Sequence, residues 1–186
     1  MSDAGGGLAL FAAGSALLAW WSRKPLRHPG SHGFYRFFAW ECILALVVIN
    51  RRPWGEDPLS PHQLASWPLL LASIGLAAAG YGALRASGSG RAGGADGSLY
   101  AWESTSALVT SGVFAHIRHP MYASLLALAW GAFLQAPSWP GVALAAAATL
   151  FLLLTALADE RECLTWFGEP YAAYMQRTRR FVPGVF

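Results

Sequence analysis

Apolar residues gather in five stretches along the chain, roughly 5–21, 37–50, 66–84, 121–135 and 141–158, with polar segments between them. The stretches at 66–84 and 141–158 approach the ~20 residues that a helix needs to cross the hydrocarbon core. Those at 37–50 and 121–135 are shorter, so each either extends through its N-terminal flank or forms a tilted or partly re-entrant helix. Only Ala136-Pro137-Ser138-Trp139-Pro140 separates the fourth stretch from the fifth, which predicts a tight helical hairpin. Between the third and fourth, Ser87–Gly97 offers no core-forming residue and reads as a flexible polar loop. Beyond residue 158 the pattern changes. Residues 159–178 mix acids and arginines with apolar positions at helical spacing (Leu164, Phe167, Tyr171, Tyr174), which predicts an amphipathic helix at the interface. The fold class predicted is all-α: a polytopic membrane bundle of about five transmembrane helices with a cytosolic amphipathic C-terminal helix, in a single domain over 1–186.

Composition changes this picture little. Of 186 residues, 55% are hydrophobic and 12% charged, against about 25% charged in a soluble domain. Lipid is therefore the expected solvent, and nine Trp and ten Phe suit interfacial aromatic belts. The distribution of charge adds an orientation. With five spans, Arg23, Lys24, Arg27, Arg36, Arg85, Arg91, Arg118, Arg161, Arg177, Arg179 and Arg180 fall on the side of the C-terminus, and only Arg51 and Arg52 fall on the other. The positive-inside rule then places the C-terminus in the cytosol and the N-terminus outside. The apolar stretch Gly7–Trp21 has Asp3 before it and Arg23, Lys24 and Arg27 after it, the reverse of a secretory signal, so it is expected to be a retained anchor. No basic tract with interleaved aromatics points to nucleic acid. Cys42 and Cys163 have no metal-binding spacing and read as packing thiols, so no metal is expected.

Two segments carry candidate chemistry. In Ser106–Tyr122, a polar loop leads into a helix whose first turn is set by Pro120. Arg118, His119 and Tyr122 cluster there beside helix N-terminal amides, which favour negative groups such as the carboxylate of an amino-acid-like ligand. In the second segment, Asp159 and Glu160 stand where the fifth span meets the cytosol, placed to accept hydrogen bonds from ribose hydroxyls or an amino group. Other positions have ordinary explanations. Tyr171 and Tyr174 suit interfacial anchoring, Arg177, Arg179 and Arg180 suit anionic headgroups, and Trp130 and Trp139 suit span ends. Glu41, within or near the membrane, is divided evenly between a functional role and a pair with Arg36 or another base.

The runs LVTSGVFAHIRHPMY and DERECLTWFGEPYAAYMQRTRRFVP resemble the isoprenylcysteine carboxyl methyltransferase family and its bacterial relatives, and more loosely the phospholipid N-methyltransferases. The resemblance covers roughly 99–183, the half it assigns to the cofactor. It implies a helical enzyme of the bacterial inner membrane that takes S-adenosylmethionine from the cytosol and methylates a lipophilic, membrane-associated thiol, carboxylate or amine. Carried over by position, the cofactor contacts fall on Ser106, Ala107, Leu108, Val109, Phe114, His119, Pro120, Met121, Tyr122, Asp159 and Glu160. The departures are Phe114 where the family often has Tyr, Asp159 where it often has Glu, and Ser106 where some members have His. Prenylcysteine-acting members also carry an Arg about one turn before the acidic pair. No Arg occurs in 141–158 here, where the matching position is Thr155 or a neighbour, which argues against a prenylcysteine carboxylate. Methyl transfer from a sulfonium mainly requires alignment and exclusion of water. Arg118 is the candidate for orienting an anionic group, and His119 or Glu160 for taking a proton from an amine. An NADPH-dependent reductase resembling the membrane sterol reductases and a non-enzymatic membrane scaffold are the rival readings.

Overall fold

The computed structural model describes residues 2–54, 56–86 and 107–184. Among these, six α-helices follow one another: α1 (Ser2–Trp21), α2 (His32–Ile49), α3 (Pro61–Ala86), α4 (Pro120–Gln135), α5 (Trp139–Phe167) and α6 (Glu169–Arg177). Short 3-10 turns occur at Pro25–Arg27 and Gly112–Ala115. Helices α2, α3 and α5 are long and apolar enough to cross a membrane, and the chain is a helical membrane protein.

Local chemistry sets the boundaries. The Ser31 hydroxyl accepts from the Phe34 N–H at 3.2 Å and starts α2; the Ser138 hydroxyl accepts from the Gly141 N–H at 3.2 Å and starts α5. Each occupies one of the donors that a helix N-terminus leaves without an internal partner. The second apolar stretch is thus extended through its flank, from residue 37 back to His32. Arg36, counted above among the cytosolic flanking charges, is in fact built into α2 and is 1% exposed. Its guanidinium carbon lies 5.2 Å from the centre of the Trp40 ring and 6.0 Å from that of Tyr122.

The amphipathic helix expected over 159–178 is two helices. Helix α5 continues through the acidic pair to Phe167, and Gly168, at φ +61°, both ends α5 and begins α6. A side chain is strained in that conformation, so glycine permits the bend that folds α6 back. At 1.5 Å per residue, the first twenty residues of α5 account for roughly 30 Å, the thickness of the hydrocarbon core. Asp159 therefore stands where the helix would leave lipid, with two polar turns projecting beyond.

Helix α3 packs along α4, and α2 along α5. The interior joins small and large side chains. Ala129, Ala132, Ala145 and Ala148 let the helices approach around Ile43, Leu46 and Phe133. A second cluster of Ala39, Ile117, Tyr122, Ala123, Leu152, Ala156 and Phe181 lies toward the end that carries the candidate residues. Large apolar side chains such as Leu17, Leu71, Ile74 and Leu150 face outward, as lipid-facing positions should. Polar bonds fix the helix pairs. Ser15 donates to the Glu41 carboxylate at 2.5 Å, joining α1 to α2 and giving Glu41 a structural partner. Gln135 donates to the Ser66 hydroxyl, which donates in turn to the Gly131 carbonyl, both at 2.7 Å. This buried relay locks α3 onto α4, and Ser66→Ala removes its middle member. We expect that change to lower unfolding free energy in detergent by about 0.5–2 kcal/mol; an unchanged denaturation midpoint would exclude the relay as a contributor.

Candidate functional site

Two extended pieces of backbone bring the candidate segments together. The Arg118 N–H donates to the Arg179 carbonyl at 2.7 Å and the His119 N–H to the Arg180 carbonyl at 3.1 Å. The Arg179 N–H returns a bond to the His116 carbonyl at 3.2 Å, completing a short parallel bridge. Pro120 then opens α4 with His119 as its N-cap.

Beneath this bridge lies an ionic hub. Glu160, on α5, is 4% exposed. Its Oε1 accepts from Arg118 Nε at 2.9 Å and from Arg180 Nε at 3.0 Å, and its Oε2 accepts from Arg180 Nη2 at 2.8 Å. Arg118 Nη1 also donates to the Met175 and Thr178 carbonyls at 3.1 and 2.5 Å, which holds the end of α6 against the loop. His119 Nε2 approaches Glu160 Oε1 at 3.3 Å. Two guanidinium groups and an imidazole thus share one buried carboxylate.

Above the hub, a cleft of about 860 Å³, counting space open to solvent, has Asp159 on its wall. The Tyr122 hydroxyl donates to Asp159 Oδ2 at 3.0 Å, and His119 Nδ1 lies 3.5 Å from the same oxygen. Cys163, one turn on, reaches Asp159 Oδ1 at 3.6 Å. The His119 and Tyr122 rings stack with centroids 5.2 Å apart, so this pair holds the carboxylate from one side as a unit. Tyr174 donates to the Phe114 carbonyl at 2.6 Å, tying α6 to the 3-10 turn that carries Phe114 into the cleft.

Burial alone would lower the pKa of His119, but its hydrogen bonds to Asp159 and Glu160, and their charges, overcome this and raise it. Burial pushes the Tyr171 phenol well up and that of Tyr174 up to about 12, so both rings are neutral donors. The bonds of Arg180 to Glu160 raise its pKa further.

The structure gathers most of the expected residues. Ala107, Leu108, Val109 and Phe114 line the cleft from one segment, and Arg118, His119, Pro120, Met121 and Tyr122 continue it. Asp159 faces them from α5. Ser106 lies outside the described residues. Glu160 does not line the cleft; its carboxylate is turned into the hub. The cleft also takes residues that sequence reasoning did not assign to it: His32 from α2, Leu84 from α3, Cys163 and Phe167 from α5, and Tyr171 and Tyr174 from α6. A signal existed for two of them. Asp159, Cys163 and Phe167 recur every four residues and so share one face of α5. Nothing local marks His32, which arrives through the pairing of α2 with α5.

Removing Glu160 leaves two guanidinium groups uncompensated, so Glu160→Ala should cost about 3–5 kcal/mol of stability. Wild-type stability for that variant in detergent denaturation would refute the hub. His119 adds a pH term. Because its pKa is raised on folding, its contribution is full below the ordinary value of about 6.5 and is lost as pH rises through the folded value. The melting temperature in detergent should therefore fall above that range, and His119→Gln should flatten the fall; equal slopes in the two proteins would remove the assignment.

Comparison with known proteins follows the same part of the chain. No curated protein and no solved structure matches it. The model of the phospholipid methyltransferase family matches residues 71–167, more than half of the chain, from mid-α3 to the end of α5. That family includes isoprenylcysteine carboxyl methyltransferase-like members. It supports a methyltransferase acting on a lipid-related substrate. The chain belongs to the phospholipid methyltransferase family.

Proposed function

We propose that the cleft binds S-adenosylmethionine and that the protein transfers its methyl group to a thiol, carboxylate or amine on a lipophilic, membrane-associated acceptor. The observation that carries this reading is the Asp159 carboxylate, held by Tyr122 and His119 on the wall of a cleft otherwise lined by apolar and aromatic side chains. The donor set matches the ligand's chemistry. Asp159 suits a ribose hydroxyl or the α-amino group. Phe114, Phe167 and the neutral Tyr171 and Tyr174 rings suit an adenine face. The first-turn amides of Met121 and Tyr122, with Arg118 beside them, suit the ligand carboxylate.

Bound there, the cofactor supplies an electrophilic methyl group on a sulfonium. The chain's residues bind, orient and exclude water, which is the main requirement of such a transfer. Arg118 and His119 are positioned by Glu160, so Glu160 acts through them. Ser106 completes the proposed contact set with Ala107, Leu108, Val109, Pro120 and Met121. In α5, the buried Thr155, at or next to the position where prenylcysteine-acting members carry an Arg, gives its hydroxyl to the Phe151 carbonyl. We place the whole chain, 1–186, in one domain with 99–183 as its cofactor half. The arginine-rich end, with the C-terminus, is placed in the cytosol of a bacterial inner membrane with the N-terminus outside.

Calorimetry on the detergent-purified protein tests the reading. S-adenosylmethionine and S-adenosylhomocysteine should bind saturably and NADPH should not. Asp159→Asn and His119→Ala should each weaken binding by about 10–100-fold, the equivalent of about 1.4–2.8 kcal/mol. No binding by the wild type, or full affinity in both variants, would overturn it.

A further inference from the structure

The connection from α1 to α2 carries a charge that its own part of the chain does not offset. No acidic residue occurs between Asp3 and Glu41, and three cations, Arg23, Lys24 and Arg27, fall within five positions. The connection at the opposite end of α2 differs, because Glu56 and Asp57 follow Arg51 and Arg52 there. Glu162 reaches the α1–α2 connection from α5, but its carboxylate is engaged by the His32 N–H and ring. Among the described residues, Lys24 and Arg27 make no ion pair.

These cations stand on an ordered turn. Ser22 and Pro25 are buried and anchor it. The Leu26 N–H donates to the Ser22 carbonyl at 2.9 Å, and the Arg27 and His28 N–H groups donate to the Lys24 and Pro25 carbonyls, both at 3.0 Å. Arg23, Lys24 and Arg27 are all exposed. Arg23 is held further: its Nη1 donates to the Trp20 carbonyl at 3.0 Å, and its guanidinium carbon lies 4.8 Å from the centre of the Trp20 ring. That bond uses one of the five N–H donors of a guanidinium. Trp20 and Trp21, in the last turn of α1, are 66% and 59% exposed. Indole rings settle at the level of lipid headgroups, so the cations just beyond them stand in the phosphate layer.

We propose that the α1–α2 connection binds the headgroup of an anionic phospholipid, its phosphate taken by Arg23, Lys24 and Arg27 and its glycerol region flanked by Trp20 and Trp21. A zwitterionic lipid brings its own ammonium to the same place and cancels most of the attraction, so the surface selects lipids by net charge. The backbone of the turn is fixed before the lipid arrives, which keeps the ordering cost of binding low. Helix α1 packs on α2 and the turn links the two, so a bound lipid braces α1 against the bundle. This inference stands independently of the cofactor reading.

The test mixes the full chain in detergent with equal amounts of phosphatidylglycerol and phosphatidylcholine bearing the same acyl chains. Native mass spectrometry then reads the retained lipid, and wild type should retain phosphatidylglycerol preferentially. One interfacial cation is worth roughly fivefold toward an anionic headgroup, so Lys24→Gln with Arg27→Gln should cut the preference by about 10–30-fold. Lys24→Arg with Arg27→Lys keeps both charges and should retain it. Arg161→Gln with Arg177→Gln removes two exposed cations from α5 and α6 and should leave it within about threefold. With phosphatidylcholine alone, the Lys24–Arg27 glutamine variant should melt as wild type does; added phosphatidylglycerol should raise the melting temperature of wild type only. Equal retention of both lipids by wild type, or an unchanged preference in the glutamine variant, would overturn the proposal. So would an equal drop in the α5–α6 variant, or loss of preference in the pair that keeps its charges. A lower melting temperature for the glutamine variant in phosphatidylcholine would also overturn it, by assigning the two cations to the fold.

Discussion

One buried carboxylate sets the geometry of the functional end of this protein. Glu160 is engaged by Arg118 and Arg180, and Arg118 extends to the backbone at the end of α6. Segments more than forty residues apart are thereby fixed at one point. The loop before α4, the end of α5 and the return strand after α6 cannot shift independently without leaving a buried charge uncompensated, which is costly in a low-dielectric setting. His119 and Tyr122 inherit their positions from this arrangement, and through them Asp159 is presented to the cleft. The cleft is thus a consequence of the hub.

The membrane helices supply the platform. Alanine-rich contacts between α4 and α5, and the Ser66–Gln135 relay between α3 and α4, hold the bundle where burial of apolar surface gives little drive between helices already in lipid. The length of α5 completes the design. It outlasts the hydrocarbon thickness by about nine residues, and those residues carry Asp159, Glu160, Glu162, Cys163 and Phe167 in two further turns. Gly168 then reverses the chain so that α6 closes over them.

How much of this was legible beforehand varies with the physical cause. Helix identity was readable because apolar runs are local. Ala107–Val109, Phe114 and Met121 entered through the family resemblance alone, whereas Arg118, His119 and Tyr122 were also marked by their place at a helix start, and Asp159 by its place at the end of a span. Three things were not. The break at Gly168 requires a positive φ that a helical apolar spacing conceals, so Tyr171 and Tyr174 were read as interfacial anchors instead of cleft walls. Arg36 looked like a flanking charge because the true start of α2, at His32, lies in a stretch with little hydrophobic signal. His32 itself belongs to the cleft only through the packing of α2 on α5, a contact between residues 130 apart in sequence, and no local pattern encodes it.

The claim on which the account turns is that the cleft above the Glu160 hub is where S-adenosylmethionine binds. Photolabelling of the purified protein with an azido-adenine analogue of S-adenosylmethionine, followed by peptide mapping, addresses it directly. The account predicts label on peptides containing Phe114, Phe167, Tyr171 or Tyr174, displaced by S-adenosylhomocysteine. Displaceable label confined to α1, or to the end of the bundle at Arg51 and Arg52, would contradict it.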